Sequence, residues 1–107
     1  MKAEDVCAVT DVAAGEAAGF IVRDDLGAEL KIALVHTESG NWYAVTDRCS
    51  HGRVQLSEGF VEDECIECPR HGAIFDLSSG NPLSPPASVP IRTYPVKLIA
   101  GRVYVEV

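Results

Sequence analysis

Two short segments of the chain bring cysteine and histidine together at close spacing. Cys49 and His51 form a C-x-H segment, Cys68 and His71 form a C-x-x-H segment, and sixteen residues separate His51 from Cys68. Together the segments offer two thiolates and two imidazoles from two loops. That donor set suits a [2Fe–2S] cluster with two cysteines on one iron and two histidines on the other. It also suits a tetrahedral zinc ion.

The spacing within each segment has a physical explanation. In an extended loop, residues two apart lie on one side and about 6–7 Å apart, so a C-x-H segment can reach two neighbouring irons. The C-x-x-H segment can do the same across a tighter turn, which Pro69 favours. Gly52 and Gly72 follow the two histidines, and without a Cβ the backbone there can approach a cluster sulfur closely. Backbone N–H groups aimed at sulfur would then tune the reduction potential.

The ligand segments and their surroundings resemble the Rieske family, in particular the soluble Rieske ferredoxins of bacterial ring-hydroxylating oxygenase systems. The resemblance implies one Rieske-type [2Fe–2S] cluster, held by Cys49, His51, Cys68 and His71, with the histidine-bound iron nearest the surface. It implies the all-β Rieske iron–sulfur fold, in which a cluster-binding subdomain is inserted in a basal sandwich of antiparallel sheets. The similarity extends from about position 6 onward and includes Trp42-Tyr43-Ala44-Val45, Leu56-Ser57-Glu58-Gly59, Phe75-Asp76 with Gly80, Val89-Pro90 and Gly101-Arg102-Val103-Tyr104-Val105.

The resemblance implies a one-electron carrier rather than an enzyme. Such a ferredoxin passes electrons from an NAD(P)H-dependent flavoprotein reductase to the terminal oxygenase of an aromatic ring-hydroxylating dioxygenase, in aromatic hydrocarbon catabolism. The number of histidines supports a carrier rather than an oxygenase. A mononuclear oxygenase iron needs two histidines and a carboxylate, and His36 is the one histidine left beside His51 and His71. We interpret His36 as structural. No Gly-rich dinucleotide fingerprint follows any predicted strand.

Two other functions stay open at this point. One is a Rieske ferredoxin or small subunit of another redox system, either nitrite-reductase-like or associated with iron–sulfur assembly. The other is a zinc-stabilised interaction module. Metal analysis and the colour of the protein separate the second from the first, because a zinc protein is colourless.

The reduction potential is predicted from donors that the sequence lacks. By resemblance, high-potential Rieske proteins have a serine and a tyrosine, two and four residues after the second histidine, that donate hydrogen bonds to sulfur. Ala73 and Phe75 stand at those positions and cannot donate from their side chains. By the same resemblance, high-potential Rieske proteins have an additional disulfide between the two cluster loops. Val54 and Arg70 stand here at the positions of its two cysteines. We therefore expect a potential near the low end of the Rieske range, at about −150 mV.

Length, charge and cysteine usage narrow the remaining possibilities. A chain of 107 residues with a net charge of −7 suits a single domain, 1–107, and its charge argues against nucleic acid. The acidic N-terminus lacks an apolar run, so we expect no signal peptide or membrane anchor, a cytoplasmic location and a monomer. Cys7 and Cys65 are expected to be reduced, as is usual in the cytosol. Cys7 is interpreted as a packing residue and Cys65 as a strand residue, not as half of a redox dithiol with Cys68.

Short apolar or alternating runs separated by turn residues predict an all-β domain. We expect the cluster-binding subdomain at about 47–80, a short turn near 54–57, and a stiff proline-rich loop over 81–90 that packs beside the ligand loops. Trp42 is expected to pack in the core. The predicted strands are Val6–Val9, Phe20–Arg23, Glu29–His36, Trp42–Thr46, Glu64–Glu67, Ile74–Asp76, Thr93–Ile99 and Arg102–Glu106.

Three arginines lie within or beside the ligand segments of an otherwise acidic chain. One hypothesis is a locally positive collar around the histidines that docks a partner. The alternative is that the arginines pair with nearby carboxylates and merely organise the loops. The arginines are Arg48, Arg53 and Arg70, and the carboxylates are Asp47, Glu58 and Glu67.

Overall fold

The computed structural model describes residues 3–49, 54–70, 72–84 and 89–107, and these form ten β-strands and two short 3-10 helices. None of the helices in these ranges is long and apolar enough to span a bilayer. The 3-10 helices are Val9–Asp11 and Leu56–Glu58. The strands are β1 (Ala3–Ala8), β2 (Glu16–Arg23), β3 (Glu29–His36), β4 (Trp42–Thr46), β5 (Phe60–Glu62), β6 (Cys65–Glu67), β7 (Ile74–Asp76), β8 (Thr93–Tyr94), β9 (Val96–Ile99) and β10 (Arg102–Glu106).

The strands of the described ranges form three antiparallel sheets, with the orders β1-β10-β9, β2-β3-β4-β8 and β5-β6-β7. Strand β3 is buried on both faces, because it contributes to two separate apolar cores. Ile32 and Leu34 pack in the core shared with β1 and β10, whereas Ala33 and Val35 pack in the core shared with β6 and β7. The apolar run of β3, which does not alternate with polar residues, is typical of a strand covered on both sides. The all-β fold of antiparallel sheets predicted from the sequence is confirmed for the described ranges.

Most strand predictions are close to the observed bounds, and the differences have local causes. The structure also contains a strand, Phe60–Glu62, that the sequence did not predict. The run Thr93–Ile99 is divided in two at Pro95, which has no backbone N–H to donate. Strand β2 begins four residues earlier than predicted, at Glu16. Its first half is rich in alanine and glycine, which are poor strand formers.

The proline-rich loop returns to its starting point. Its two ends are joined by a hydrogen bond from the Ile91 amide to the Gly80 carbonyl at 2.9 Å. Gly80 has a φ of +79°, and a Cβ there would overlap the carbonyl oxygen of Ile91, so both the conformation and the close approach require glycine. Pro82 bridges to Phe75 of β7. Ser84 bonds to the Gly72 carbonyl of the second ligand loop, so the predicted packing beside a ligand loop is confirmed for 81–84, whereas 85–88 lie outside the described residues.

Candidate metal centre

The two predicted cysteine ligands lie in the same apolar core. Cys49 follows β4 and Cys68 follows β6, and each is only 1% exposed. Both belong to one packed cluster, which also contains Leu56, Ile66 and Phe75. The long-range pairing of the strands thus brings together two thiols that are nineteen positions apart in the chain.

Each of the two ligand loops is closed by a backbone hydrogen bond at the equivalent position. The Cys49 amide donates to the carbonyl of Val54 at 2.9 Å, and the Cys68 amide donates to the carbonyl of Ala73 at 2.7 Å. In each loop the acceptor is five residues beyond the cysteine. In the second loop, Gly72 also donates to the Cys68 carbonyl at 3.1 Å, and its φ of +72° lies in the left-handed region that favours glycine.

The predicted histidine ligands, His51 and His71, lie outside the described residues, as do Gly52 and Arg53. The described half of the donor set fits an iron–sulfur centre. Two buried thiols start two matching turns, and a metal can bind them as thiolates. When bound, the cluster supplies one-electron redox chemistry at a site that the protein core shields on its cysteine side.

A buried carboxylate holds the first ligand loop. Asp47, two residues before Cys49, is only 4% exposed. Its two oxygens accept hydrogen bonds from the Ser57 amide and the Ser57 hydroxyl, both at 2.7 Å. A Cβ at Gly19 of β2 would lie 2.7 Å from this carboxylate, so glycine leaves room for it. Sequence reasoning treated Asp47 only as a partner for arginine and missed this bond to the 3-10 helix.

A neutral hydroxyl holds the second ligand loop. Ser84, in the proline-rich loop, accepts a hydrogen bond from the Ile74 amide at 3.0 Å and donates to the carbonyl of Gly72 at 3.4 Å. The next residue back, Leu83, donates its amide to the Ile74 carbonyl at 2.7 Å. Ser84 gave no signal in the sequence, because a serine among prolines is typical of any surface loop.

Glu64, between β5 and β6, joins the sheet β5-β6-β7 to the turn between β3 and β4. Its side chain accepts hydrogen bonds from Asn41 at 2.7 Å, Ser39 at 2.8 Å, Tyr43 at 2.9 Å and Thr37 at 3.3 Å. These bonds, led by those from Asn41 and Ser39, lower the pKa of Glu64 below its ordinary value. Sequence reasoning missed this contact as well, since the donors are 21–27 positions away in the chain.

The spare cysteines have the roles predicted for them. Cys7 is buried in the core that β3 shares with β1 and β10, and Cys65 lies in β6; neither is joined in a disulfide. Burial, followed by the charge of Asp76 and other nearby carboxylates, raises the pKa of the Cys65 thiol. A reactive dithiol needs the opposite shift, which argues against redox chemistry between Cys65 and Cys68.

His36 is structural, as predicted. Its Nδ1 donates to the carbonyl of Val12 at 2.9 Å, and its ring stacks on Trp42 with the centroids 4.1 Å apart. The proton of the imidazole lies on Nδ1 in this bond, because a carbonyl can only accept. Trp42 packs against the core that β3 shares with β1 and β10, which confirms its predicted packing role.

The described arginines near the ligands are exposed. Neither Arg48 nor Arg70 is buried, and Glu58 and Glu67 form no ion pair with an arginine in the described ranges. Arg48 lines a surface groove beside the first ligand loop together with Lys31 and Arg92. The positive collar remains a prediction, and the structure adds two basic residues that sequence reasoning did not include, Lys31 of β3 and Arg92 just before β8.

Comparisons with known proteins agree with this geometry. A family model described as Rieske [2Fe-2S] domain matches residues 2–95. The 3-phenylpropionate/cinnamic acid dioxygenase ferredoxin subunit of Escherichia coli (strain K12) is 41% identical over 101 residues, which are 94% of this chain and 89% of that protein.

Two solved structures are also similar. The Sphingomonas yanoikuyae B1 ferredoxin has a TM-score of 0.83 and 30% identity, with 98% of each chain covered. A chain in the complex of reduced oxygenase and oxidized ferredoxin in carbazole 1,9a-dioxygenase has a TM-score of 0.82 and 35% identity, with 97% of this chain and 92% of that chain covered.

Proposed function

Because the chain belongs to the Rieske [2Fe–2S] family, we propose that it is the ferredoxin component of an aromatic ring-hydroxylating dioxygenase system. It binds one Rieske-type [2Fe–2S] cluster and acts as an electron-transfer component rather than as a catalyst. In this role it takes single electrons from an NAD(P)H-dependent flavoprotein reductase and delivers them to a terminal oxygenase. One observation carries the proposal: two deeply buried cysteines, in identically closed loops, lie in one core of a chain that matches a dioxygenase ferredoxin subunit along nearly its whole length.

The proposed ligands are Cys49 and Cys68 on the inner iron and His51 and His71 on the outer iron. The matching turns support the cysteines, because each amide is held by its own loop and each thiol is excluded from water. The histidines are proposed from their spacing and from family membership. We propose a single domain, 1–107, with 47–80 as the inserted cluster-binding subdomain, since β5, β6 and β7 form a sheet of their own within that range.

The surroundings of the cysteines support a low reduction potential. Ala73 and Phe75 are completely buried, and neither side chain carries a hydrogen-bond donor. Negative charge added on reduction is then less stabilised than in a site with hydroxyl donors. We expect a potential of about −150 mV, at the low end of the Rieske range. A redox titration followed in visible absorption checks this, and a strongly positive midpoint would contradict it.

Reconstitution tests the proposed function. The purified holoprotein replaces the native ferredoxin subunit in a mixture of the reductase and oxygenase components of the Escherichia coli 3-phenylpropionate/cinnamic acid dioxygenase. Oxygen uptake that depends on NADH, aromatic substrate and this protein is the expected result. Holoprotein that the reductase reduces, but that does not support oxygen uptake, would favour service in another redox system. We propose that the protein works in the cytoplasm as a monomer, which cell fractionation and sedimentation check.

A further inference from the structure

The outer side of the sheet β5-β6-β7 carries an acidic apolar face, which we define as Phe60, Glu62, Asp63, Cys65, Glu67, Ile74 and Leu83. We propose that this face docks an electron-transfer partner protein whose surface presents an apolar side chain ringed by lysine or arginine. The proposal rests on the proposed electron-carrier function and names the chemistry of a partner surface. It concerns the sheet, not the arginines beside the histidine segments.

Strand register puts the five strand residues of the face on one side of the sheet. Phe60 pairs with Glu67, and Glu67 pairs with Ile74, so the three form one row across the strands. Glu62 and Cys65 pair in the next row. The residues between them in sequence point the other way, because side chains alternate along a strand. That inner side is the buried one, formed by Val61, Ile66 and Phe75.

Two large apolar side chains of the face are exposed to solvent. Phe60 is 61% exposed and Leu83 is 60% exposed. Leu83 is held beside Ile74 by its amide bond to the Ile74 carbonyl. With the acidic residues they line a shallow pocket of about 340 Å³. An apolar hollow with a polar rim is typical of a site that binds another protein.

The charge of the rim indicates what can bind there. Glu62, Asp63 and Glu67 form no ion pair with any described residue, and the sequence contains no lysine or arginine from position 54 to position 69. Elsewhere, by contrast, Asp5, Glu29 and Glu106 are paired. A basic partner would be attracted to this rim. A second copy of this acidic chain would be repelled, because its own face would place like charges opposite each other.

The position of the face suits electron transfer. Strand β6 ends at Glu67, and the next residue is the proposed ligand Cys68. A protein seated over Glu67 is therefore one residue along the backbone from the sulfur that would bind iron. Docking here would leave the predicted histidine side of the cluster available to a second protein.

Reduction of ferric cytochrome c tests the proposal, because this basic protein has an exposed haem edge. The holoprotein is first reduced with dithionite, and excess dithionite is removed. Each reduced holoprotein then gives one electron to one ferric haem, with no proton transferred. Stopped-flow rates are measured at about 20 mM and about 200 mM salt, a range over which charge steering is strongly screened. The variants are Glu62→Gln with Glu67→Gln, and Phe60→Ala.

The matched control is Glu16→Gln with Glu38→Gln, which removes the same charge from exposed residues outside the face. We expect the Glu62/Glu67 pair to lower the low-salt rate about tenfold and flatten its salt dependence, and the control to change the rate less than about twofold. Phe60→Ala should lower the rate at both salt concentrations and keep the wild-type salt dependence, because it removes contact and no charge. Unchanged visible spectra establish that the cluster is intact in each variant.

Three results would overturn the docking proposal in different ways. Equal loss in the Glu62/Glu67 pair and in the control would mean that net charge, not this face, attracts the partner. A wild-type dimer in sedimentation that Phe60→Ala converts to a monomer would make the face a self-association surface. A loaded and reduced wild-type protein that gives no electron to cytochrome c at either salt concentration would contradict the electron-carrier function itself.

Discussion

The two ligand loops are closed by equivalent backbone hydrogen bonds, but their flanking residues are held by different chemistry. In the first loop, the buried carboxylate of Asp47 accepts two short hydrogen bonds from Ser57. In the second, the hydroxyl of Ser84 makes one ordinary bond and one long bond. Bonds to a buried charge are stronger than bonds between neutral groups. The comparison indicates that the first loop is rigidly anchored, whereas the second depends on the position of the proline-rich loop.

The largest expected effect tests what the two loops share. Cys49→Ser and Cys68→Ser should each abolish cluster binding, because each removes one of the two proposed thiolate ligands of the inner iron. Iron and acid-labile sulfide content measure the loss. Cys7→Ser and Cys65→Ser are the matched controls and should keep both. A cluster retained in full by Cys49→Ser would contradict the proposed ligand set.

The next effect tests the anchor of the first loop. Asp47→Ala removes both bonds to Ser57 and leaves the Ser57 amide without this acceptor, so we expect a loss of about 3 kcal/mol in the free energy of unfolding. Denaturant titration of the holoprotein measures it. Ser57→Ala, which keeps the amide bond, should cost about half as much. Equal costs for the two substitutions would show that the amide bond contributes little.

The anchor of the second loop should have a smaller effect. Ser84→Ala removes the acceptor of the Ile74 amide and the donor to Gly72, at a cost of about 1 kcal/mol. Because Gly72 follows a proposed ligand, the substitution should also shift the reduction potential, which a purely structural loop residue would not do. Ser79→Ala in the neighbouring turn is the comparison, since among the described residues its hydroxyl bonds to Asp76 and Asn81 and not to a ligand loop. A larger loss of stability for Ser84→Ala than for Asp47→Ala would reverse the contrast between the loops.

The smallest effect concerns Glu64, which joins two sheets and lies outside both ligand loops. Its pKa is lowered in the folded protein, so the folded state favours the charged form. The stabilisation is therefore present above the unfolded pKa near 4.5 and is lost as pH falls through the lower folded pKa. Denaturant titrations from neutral pH down to acid should show less loss of stability in Glu64→Gln than in the wild type. An identical acid dependence in both proteins would exclude this contribution.

The chemistry of the site is readable from the sequence because its spacing is local. Cys49 and His51, and likewise Cys68 and His71, are close enough in the chain for their types and separation to indicate a metal centre. The strands with strong apolar content are readable for the same reason. Strands β3, β4, β7 and β10 have the predicted bounds. Burial of one or both faces of a strand leaves a pattern of apolar residues, which can be recognised without knowing the partner strand.

The anchors of the site were decided by tertiary structure alone. Ser57, Ser84 and Glu64 are ordinary polar residues in sequence, and each becomes significant only through a partner 10 to 27 positions away. The acidic apolar face likewise exists only because three short strands pair in one register. Residue type and local spacing determine which chemistry a chain can perform. Hydrogen bonds between distant segments have no sequence period, and they determine how rigidly that chemistry is held and which surface surrounds it.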